Sequence, residues 1–294
     1  LSIDRNIPDN VIDLRAKKWN KKKYSAAEGL LGRKVGIVGL GEIGIAFAER
    51  ARAFGMDIYA MAKPGRSGHI QERINRIGIT FVTDVISLAE TCDVISFHVP
   101  VNAKTKGMIN QEFLSHMKPD AVIINTSRGE IVDDDALIRA METKGIRVGL
   151  DVYNNEPTSG VGEFFTSLST HPNVYGTHHI GASTEQAQNA IAETVVEVLQ
   201  VFEKGNVMNC VNLSTKPLGS AVLTVRHFDR VGVLSAVLEV LKKASINVEQ
   251  MENQVFDGAK AACATIHVSE EISPQVISAI GDLDDVIHLS VRNT

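Results

Sequence analysis

The sequence predicts an α/β protein in which a doubly wound parallel sheet is followed by a small α+β unit of βαββαβ order. A glycine-rich turn after an apolar run, within residues 34–44, marks the start of the sheet. Short apolar runs then alternate with helical patterns as far as residue 205, which is typical of a parallel sheet with helices on both faces. A linker-like segment at residues 206–220 precedes the small unit.

Composition narrows the range of partners. The 294 residues are enough for two domains, and a net charge of −5 gives no long-range attraction to nucleic acid or to an anionic membrane. No apolar run reaches the ~18 residues of a membrane span. Three cysteines without C-x-x-C spacing predict neither a disulfide framework nor a metal site, and they fit a reducing cytoplasm. We therefore expect a small-molecule partner and a cytoplasmic location.

The glycine-rich turn at residues 34–44 has G-x-G-x-x-G spacing between a predicted strand and a predicted helix. In this arrangement Gly39 makes the turn, Gly41 lets the backbone approach a pyrophosphate, and Gly44 lets the helix pack closely on the strand. The helix that begins near Glu42 directs free N–H groups at the diphosphate. Glycines beside a helix can also serve packing alone, but the flanking strand and helix favour a dinucleotide site.

The rest of the first part follows from apolar periodicity. The helical pattern over residues 181–204 ends at Gly205. Before it, strands are predicted at residues 57–62, 79–82, 94–99, 121–126, 148–152 and 173–176, with helices at 83–91, 111–117 and 133–144. Ligands of such sheets bind at the carboxyl ends of the strands.

The chain begins and ends with different patterns. Residues 1–19 have apolar side chains at helical spacing, which predicts the end of a helix whose beginning lies outside the sequence. The basic run at residues 17–23 predicts a solvated connector. In the last part, the dipeptide Asp257-Gly258 predicts a hairpin turn. The strands predicted around it are 221–227, 248–256, 261–268 and 286–291, with helices at 232–244 and 274–283.

Three polar residues follow predicted strands of the parallel sheet, on the edge that the glycine turn also faces: Arg128, Glu156 and His179. Oxidation of an alcohol by hydride transfer needs a base for the hydroxyl proton, and a histidine held by a carboxylate suits that task. An arginine fork can hold a substrate carboxylate. Each residue also has an ordinary structural alternative: a salt bridge for Arg128, a turn cap for Glu156 and a packed core position for His179.

Four ordered motifs resemble the D-2-hydroxyacid dehydrogenases, over roughly residues 1–212. They are the glycine trio, NTSRG at residues 125–129, DVYNNEP at 151–157 and HIGAST at 179–184. Within that family, the run GASTEQAQ and the last part resemble the D-3-phosphoglycerate dehydrogenase branch. This branch interconverts 3-phosphoglycerate and 3-phosphohydroxypyruvate in serine biosynthesis. The last part resembles an ACT domain, a ligand-sensing module, through HFDRVGVL at 227–234 and Asn247.

The resemblance implies a role for each matching residue. His179 would exchange the substrate proton, Glu156 would be the partner of His179, and Arg128 would anchor the substrate. Asp151 would bind the nicotinamide amide. The expected cofactor is NAD, and the residues expected to line it are Gly39, Gly41, Glu42, Ile43, Gly44, Lys63, His98, Val99, Thr126, Ser127, Arg128, Asp151, His179, Gly181 and Ala182.

In the last part, the resemblance implies that His227, Asp229 and Asn247 hold serine or another amino-acid effector, although such residues could equally form an ordinary turn. Relatives pair through both domains, so a homodimer or homotetramer is expected. The implied organisation is a remnant interdomain helix and connector (1–33), a dinucleotide-binding Rossmann domain (34–205), a linker (206–220) and an ACT-like regulatory domain (221–294).

Three departures from the family pattern leave alternatives open. The acidic residue that grips the ribose of NAD, about 20 residues beyond the glycines, is missing; Asp57 stands at the wrong end of its strand. Lys63 and Arg66 follow that strand instead and would favour the 2′-phosphate of NADP. His178 occupies a position where relatives carry proline, and it could compete with His179 for the proton-transfer role.

The third departure concerns the substrate domain that relatives carry before the dinucleotide-binding domain, which the sequence does not contain. Hydride transfer needs water exclusion and positioned groups, so turnover would be impaired without it. The alternatives are therefore a nucleotide-binding, amino-acid-sensing regulator without turnover, and a reductase for another D-2-hydroxy acid such as glyoxylate or hydroxypyruvate.

Overall fold

The computed structural model describes residues 1–62, 68–210, 212 and 219–293. The chain forms two compact units, Leu1–Thr194 and Val195–Thr294. The boundary between them lies inside a helix, whereas the sequence places the domain boundary in a linker at residues 206–220. Much of that linker lies outside the described residues, so the predicted domain limits stay a proposal.

The larger unit is built on one parallel sheet, in the order β3-β2-β1-β4-β5-β6-β7. Its strands are β1 (Lys34–Val38), β2 (Asp57–Met61), β3 (Thr80–Val82), β4 (Val94–Phe97), β5 (Val122–Asn125), β6 (Arg147–Leu150) and β7 (Val174–Gly176). The order reverses between β1 and β4, which is the switch point where open α/β sheets bind ligands. The predicted doubly wound sheet is therefore confirmed.

Helices precede, connect and follow these strands. They are α1 (Ile7–Arg15), α2 (Lys21–Tyr24), α3 (Glu42–Ala53), α4 (Gly68–Ile77), α5 (Val85–Thr91), α6 (Gln111–His116), α7 (Asp134–Lys144) and α8 (Glu185–Glu203), which ends in the smaller unit. The side chains of Asp84, Asn110 and Asp133 cap α5, α6 and α7 by accepting a backbone N–H in the first turn. Helices α2 and α4 were not predicted.

Two apolar cores cover the faces of the parallel sheet. Successive residues of β4 alternate between them, since Val94 joins one core and Ile95 the other. This burial on both faces explains why β1, β4 and β5 read as continuous apolar runs rather than alternating ones. The predicted helix near the start is shorter than residues 1–19: α1 leaves the side chains of Ile12 and Leu14 largely exposed.

The smaller unit has the predicted βαββαβ order. Its elements after α8 are β8 (Ala221–Phe228), α9 (Val233–Lys243), β9 (Val248–Val255), β10 (Ala261–Val268), α10 (Pro274–Gly281) and β11 (Val286–Asn293). The strands form an antiparallel sheet in the order β11-β8-β10-β9, and apolar residues of α9 and α10 pack on one face. No helix in the described ranges has the length and apolar character that a membrane crossing requires.

Candidate active site

Five neighbouring strands of the parallel sheet end in one row. Across the sheet, Val38 pairs with Phe97, Phe97 with Asn125, Asn125 with Leu150 and Leu150 with Gly176. The residue that follows each member of this row leaves the sheet at its carboxyl edge. These five residues are Gly39, His98, Thr126, Asp151 and Thr177. The first four are predicted cofactor residues, so the fold brings them to one edge; Thr177 was not predicted.

The glycine turn fits a pyrophosphate. Gly39 has a φ of +103°, and a Cβ there would collide with the His98 carbonyl group. A Cβ on Gly44 would collide with the Gly39 carbonyl oxygen, which explains the close packing of α3 on β1. Gly41 caps α3, and a Cβ there would meet no atom within 4 Å. This open space lies over the unpaired N–H groups of the first helical turn, which can donate hydrogen bonds to an anion.

His98 and Val99 flank the glycine turn from β4. The His98 Nε2 lies 2.9 Å from the Ser96 hydroxyl, and its ring packs against Phe47 of α3 with 5.2 Å between the ring centroids. Burial lowers the pKa of His98 to about 4, so the imidazole is neutral at pH 7. His98 therefore ties β4 to the helix that carries the glycine turn and adds no charge there.

The turn that carries Arg128 is held by the buried side chain of Asn125. Its amide donates to the Arg128 carbonyl oxygen at 2.9 Å, and its Oδ1 accepts from the Ser127 N–H at 3.0 Å and the Ser127 hydroxyl at 2.7 Å. Gly129 packs directly on the backbone of Tyr153, where a Cβ would collide. The Arg128 side chain is exposed, as is that of Thr126, and one guanidinium N–H donates to the Ser127 carbonyl oxygen at 2.6 Å.

His179 and Glu156 form the pair that the sequence predicts. The distance between His179 Nδ1 and Glu156 Oε2 is 2.7 Å, and the other Glu156 oxygen accepts the Tyr153 N–H at 2.7 Å. The carboxylate therefore holds a proton on Nδ1, which leaves Nε2 to exchange a proton with a ligand. The His179 side chain is 49% exposed, and its φ of +53° lies in the left-handed region that non-glycine residues rarely adopt.

Asp151 holds the backbone of the loop that carries His179. Its Oδ1 accepts from the Thr177 hydroxyl at 2.5 Å and the Ile180 N–H at 2.9 Å, and its Oδ2 accepts from the Gly181 N–H at 2.8 Å. Burial by itself would raise the pKa of Asp151, but these hydrogen bonds outweigh it and the pKa is lowered. The sequence predicted a nicotinamide contact for Asp151 and gave no signal of this second role.

A cavity of about 410 Å³ lies beside the pair, and Tyr153, Glu156, His178 and His179 line it. His178 shares the cavity, but the Glu156 carboxylate contacts His179. Arg128 is not among the lining residues. It reaches the same edge of the sheet from β5, two strands away from β7.

The other predicted cofactor residues divide into three groups. Ile43 is exposed in the first turn of α3, and Gly181 and Ala182 are exposed in the loop that follows His179. Lys63 lies outside the described residues, as does Arg66, so the cations that favour NADP have no described position. Glu42 begins α3 and is paired with a residue that the sequence did not single out, Arg73 of α4.

The structure does not bring the three predicted effector residues together within one chain. His227 pairs with Ala262 of β10, which pairs in turn with Val255 at the last residue of β9. Asn247 precedes β9 and therefore lies at the opposite end of the sheet from His227 and Asp229. His227 is buried, and its ring nitrogens contact the Phe228 carbonyl oxygen and the Asn253 side chain.

Comparison with known proteins gives consistent matches. The profile of the D-isomer specific 2-hydroxyacid dehydrogenase, NAD binding domain, matches residues 1–181. The chain is 36% identical over 225 residues to D-3-phosphoglycerate dehydrogenase of Methanocaldococcus jannaschii, covering 74% of this chain and 41% of that protein. It is 28% identical over 297 residues to the enzyme of the same name from Haemophilus influenzae, covering 99% of this chain and 70% of that protein.

Among solved structures, D-lactate dehydrogenase from Aquifex aeolicus in complex with NAD and lactic acid is similar, with a TM-score of 0.59 and 30% identity. That match covers 70% of this chain and 63% of the other. The chain spans less than half the length of the Methanocaldococcus relative.

The switch point, the glycine turn and the open first turn of α3 define a dinucleotide-binding α/β protein. The chain belongs to the D-isomer specific 2-hydroxyacid dehydrogenase family, whose members are NAD-dependent enzymes. Residues 1–181 match the NAD-binding domain of that family, so the cofactor is NAD.

Proposed function

We propose that this chain is the NAD-binding and proton-transfer part of a D-3-phosphoglycerate dehydrogenase. The reaction would be hydride transfer between 3-phosphoglycerate and 3-phosphohydroxypyruvate, an early step of serine biosynthesis. The contact between His179 Nδ1 and Glu156 Oε2 at the carboxyl edge of the sheet supports it most directly. The choice of substrate is supported by relatives of that name, one of which is matched over 99% of this chain.

The proposed chemistry assigns one proton movement to this chain. NAD, held at the glycine turn by the first turn of α3, would supply the acceptor for the hydride when the substrate alcohol is oxidised. His179 Nε2 accepts the hydroxyl proton as the carbonyl forms, and the Glu156 carboxylate stabilises the resulting imidazolium. In the reverse direction His179 returns the proton to the carbonyl oxygen. Arg128 has N–H groups beyond the one bonded to Ser127, and these would hold the substrate carboxylate.

A panel of 2-oxo acids tests the proposal. The chain would be assayed with NADH and with 3-phosphohydroxypyruvate, hydroxypyruvate or glyoxylate, and we expect the highest kcat/KM for the phosphorylated acid. A higher value for either of the others would favour the reductase alternative. Calorimetric binding of NADH without turnover of any of the three would favour a regulator that senses nucleotide and amino acid.

For the smaller unit, we propose an ACT-like role as a sensor of serine or another amino acid. Because His227 and Asn247 lie at opposite ends of one sheet, a complete pocket would combine His227 and Asp229 of one copy with Asn247 of a second. Serine should then raise the melting temperature of the intact chain, and His227→Ala or Asn247→Ala should each abolish that shift. Mixing the two variants should restore part of it, since one pocket of the mixed dimer would be intact; no restoration would contradict a shared pocket.

We further propose that the chain is a homodimer or homotetramer. The supporting observation is the apolar stripe of α8, where the side chains of Ile191, Val195, Leu199 and Phe202 are all more than half exposed. Sedimentation would test it: Leu199→Glu should lower the mass of the assembly, while Glu197→Gln, on the same helix, should not. An unchanged mass in Leu199→Glu would remove this stripe from the interface.

A further inference from the structure

The adenosine side of the cofactor site lacks the carboxylate that usually grips the ribose. In NAD-binding sheets of this kind an acidic residue near the end of the second strand accepts a hydrogen bond from the ribose 2′-hydroxyl. Here β2 ends at Met61, and the sequence has no Asp or Glu from residue 58 to residue 71. Asp57 lies at the other end of β2 and pairs with Arg52 at 3.6 Å.

Another carboxylate stands close to that position. Glu42 is the first residue of α3, directly after the glycine that leaves room for the pyrophosphate. Its Oε2 accepts from Arg73 Nη1 at 2.7 Å. Arg73 belongs to α4, which connects β2 to β3. The pair therefore directs the Glu42 carboxylate towards the β2 side of the switch point, where the adenosine half of a dinucleotide lies.

Arg73 is itself fixed and its charge is balanced. Its Nε and Nη2 donate to the two oxygens of Glu49, about two helical turns beyond Glu42, at 3.1 and 3.2 Å. The Arg73 side chain is only 20% exposed, whereas that of Glu42 is 71% exposed and open to a ligand. Glu42 and Glu49 both accept from the Arg73 guanidinium, and the exposed Glu42 carboxylate is negatively charged, so it repels a 2′-phosphate.

We propose that Glu42, oriented by Arg73, accepts a hydrogen bond from the 2′-hydroxyl of the adenosine ribose and makes the chain select NAD over NADP. The inference rests on the cofactor position described above and adds a specificity-determining residue to it. It also assigns to Arg73 a positioning role, since Arg73 acts on the ligand through Glu42. This carboxylate replaces the missing one at the end of β2.

The test compares the Kd values of NADH, NADPH and 2′-deoxy-NADH, measured by fluorescence titration of the intact chain. In the unaltered protein, NADH should bind more tightly than either of the other two. Glu42→Gln should reduce the preference for NADH, given by the Kd of NADPH divided by the Kd of NADH, about ten- to hundredfold. The substitution removes a hydrogen bond to a charged group and also the repulsion between the Glu42 carboxylate and the 2′-phosphate. In that variant, NADH and 2′-deoxy-NADH should bind with similar affinity.

Glu72→Gln is the matched control, because Glu72 is an exposed carboxylate beside Arg73 on α4 that takes no part in the contacts of Arg73 with Glu42 and Glu49; it should leave the Kd ratios unchanged. The inference is overturned if Glu42→Gln weakens the binding of NADH and 2′-deoxy-NADH equally, or if Glu72→Gln has the same effect as Glu42→Gln. If the unaltered chain binds none of the three ligands, the cofactor position itself is wrong and this inference falls with it.

Discussion

At the β1 end of the strand row, Gly39 and Gly44 pack so tightly on backbone atoms that no side chain fits. At the β7 end, the loop that carries His179 is held by hydrogen bonds from one buried carboxylate, Asp151. The first arrangement requires a particular residue type, so it leaves a pattern in the sequence. The second requires only a carboxylate in reach of two N–H groups, which many sequences could supply.

The two ends of the strand row also differ in how firmly the backbone is held. The glycine turn is fixed by steric contact and would hold a pyrophosphate in one place with little motion. The His179 loop adopts a left-handed backbone conformation, which costs about 1 kcal/mol, and depends on Asp151 to keep it. Position of the cofactor and position of the base can therefore be perturbed separately.

The largest expected effect is on proton transfer at the β7 end. His179→Ala should lower kcat about 10²- to 10⁴-fold, because the acceptor for the hydroxyl proton is removed while the glycine turn is untouched. Steady-state kinetics and NADH titration would measure both properties. His178→Ala is the neighbouring control and should change kcat little. If His178→Ala lowers kcat more than His179→Ala does, His178 and not His179 is the proton-transfer residue.

Sequence and structure agree most closely where steric contact decides the residue. The strands of the parallel sheet and the glycine turn were predicted because burial on both faces and close backbone approach limit the residue types severely. Helix α4 was missed although Ile70, Ile74 and Ile77 have helical spacing, so that signal was present in the sequence. The Glu42–Arg73 pair gave no signal, since both residues are charged and could have faced solvent alone.

The positions of the three predicted effector residues could not be predicted from the sequence. His227, Asp229 and Asn247 were grouped because the resemblance to an ACT domain implies that all three hold an effector. Their separation depends on β10 lying between β8 and β9, and the strand order of a four-stranded sheet is not written in local periodicity. Asp151 is a similar case, because an aspartate after a strand can contact a ligand or a loop with equal ease.

A test of the β1 end compares two glycines of the same motif. Gly44→Ala should lower the free energy of unfolding by about 3 kcal/mol, because the new Cβ overlaps the Gly39 carbonyl oxygen. Gly41→Ala is the matched control: its Cβ enters open space, so stability should change by less than about 0.5 kcal/mol while NADH affinity falls. Urea unfolding and NADH titration measure both. Equal stability of the two variants would contradict the steric account.

The stability of the folded chain depends on pH through His98, which follows β4, the second strand of the row. Its pKa is about 4 in the folded chain and near 6.5 when unfolded, so the unfolded state takes up the proton first as the pH falls. The free energy of unfolding should therefore decrease between pH 6.5 and pH 4, by up to about 3 kcal/mol. His98→Gln keeps a polar side chain that does not titrate and should show a shallower decrease. Parallel curves for the two proteins would mean that His98 does not contribute to this dependence.

The smallest expected effect is at the β7 end and concerns the loop alone. Asp151→Asn removes the charge that accepts the Ile180 and Gly181 N–H groups, so the free energy of unfolding should fall by about 2 kcal/mol. Hydrogen exchange should become faster at those two amides, whereas amides of the β1 turn should keep their rates. Thr177→Val is the graded control because it removes one of the three donors to Asp151 and leaves both amides paired. If its effect equals that of Asp151→Asn, the loop is held by the hydroxyl, and the contrast with the sterically fixed glycine turn rests on a different contact.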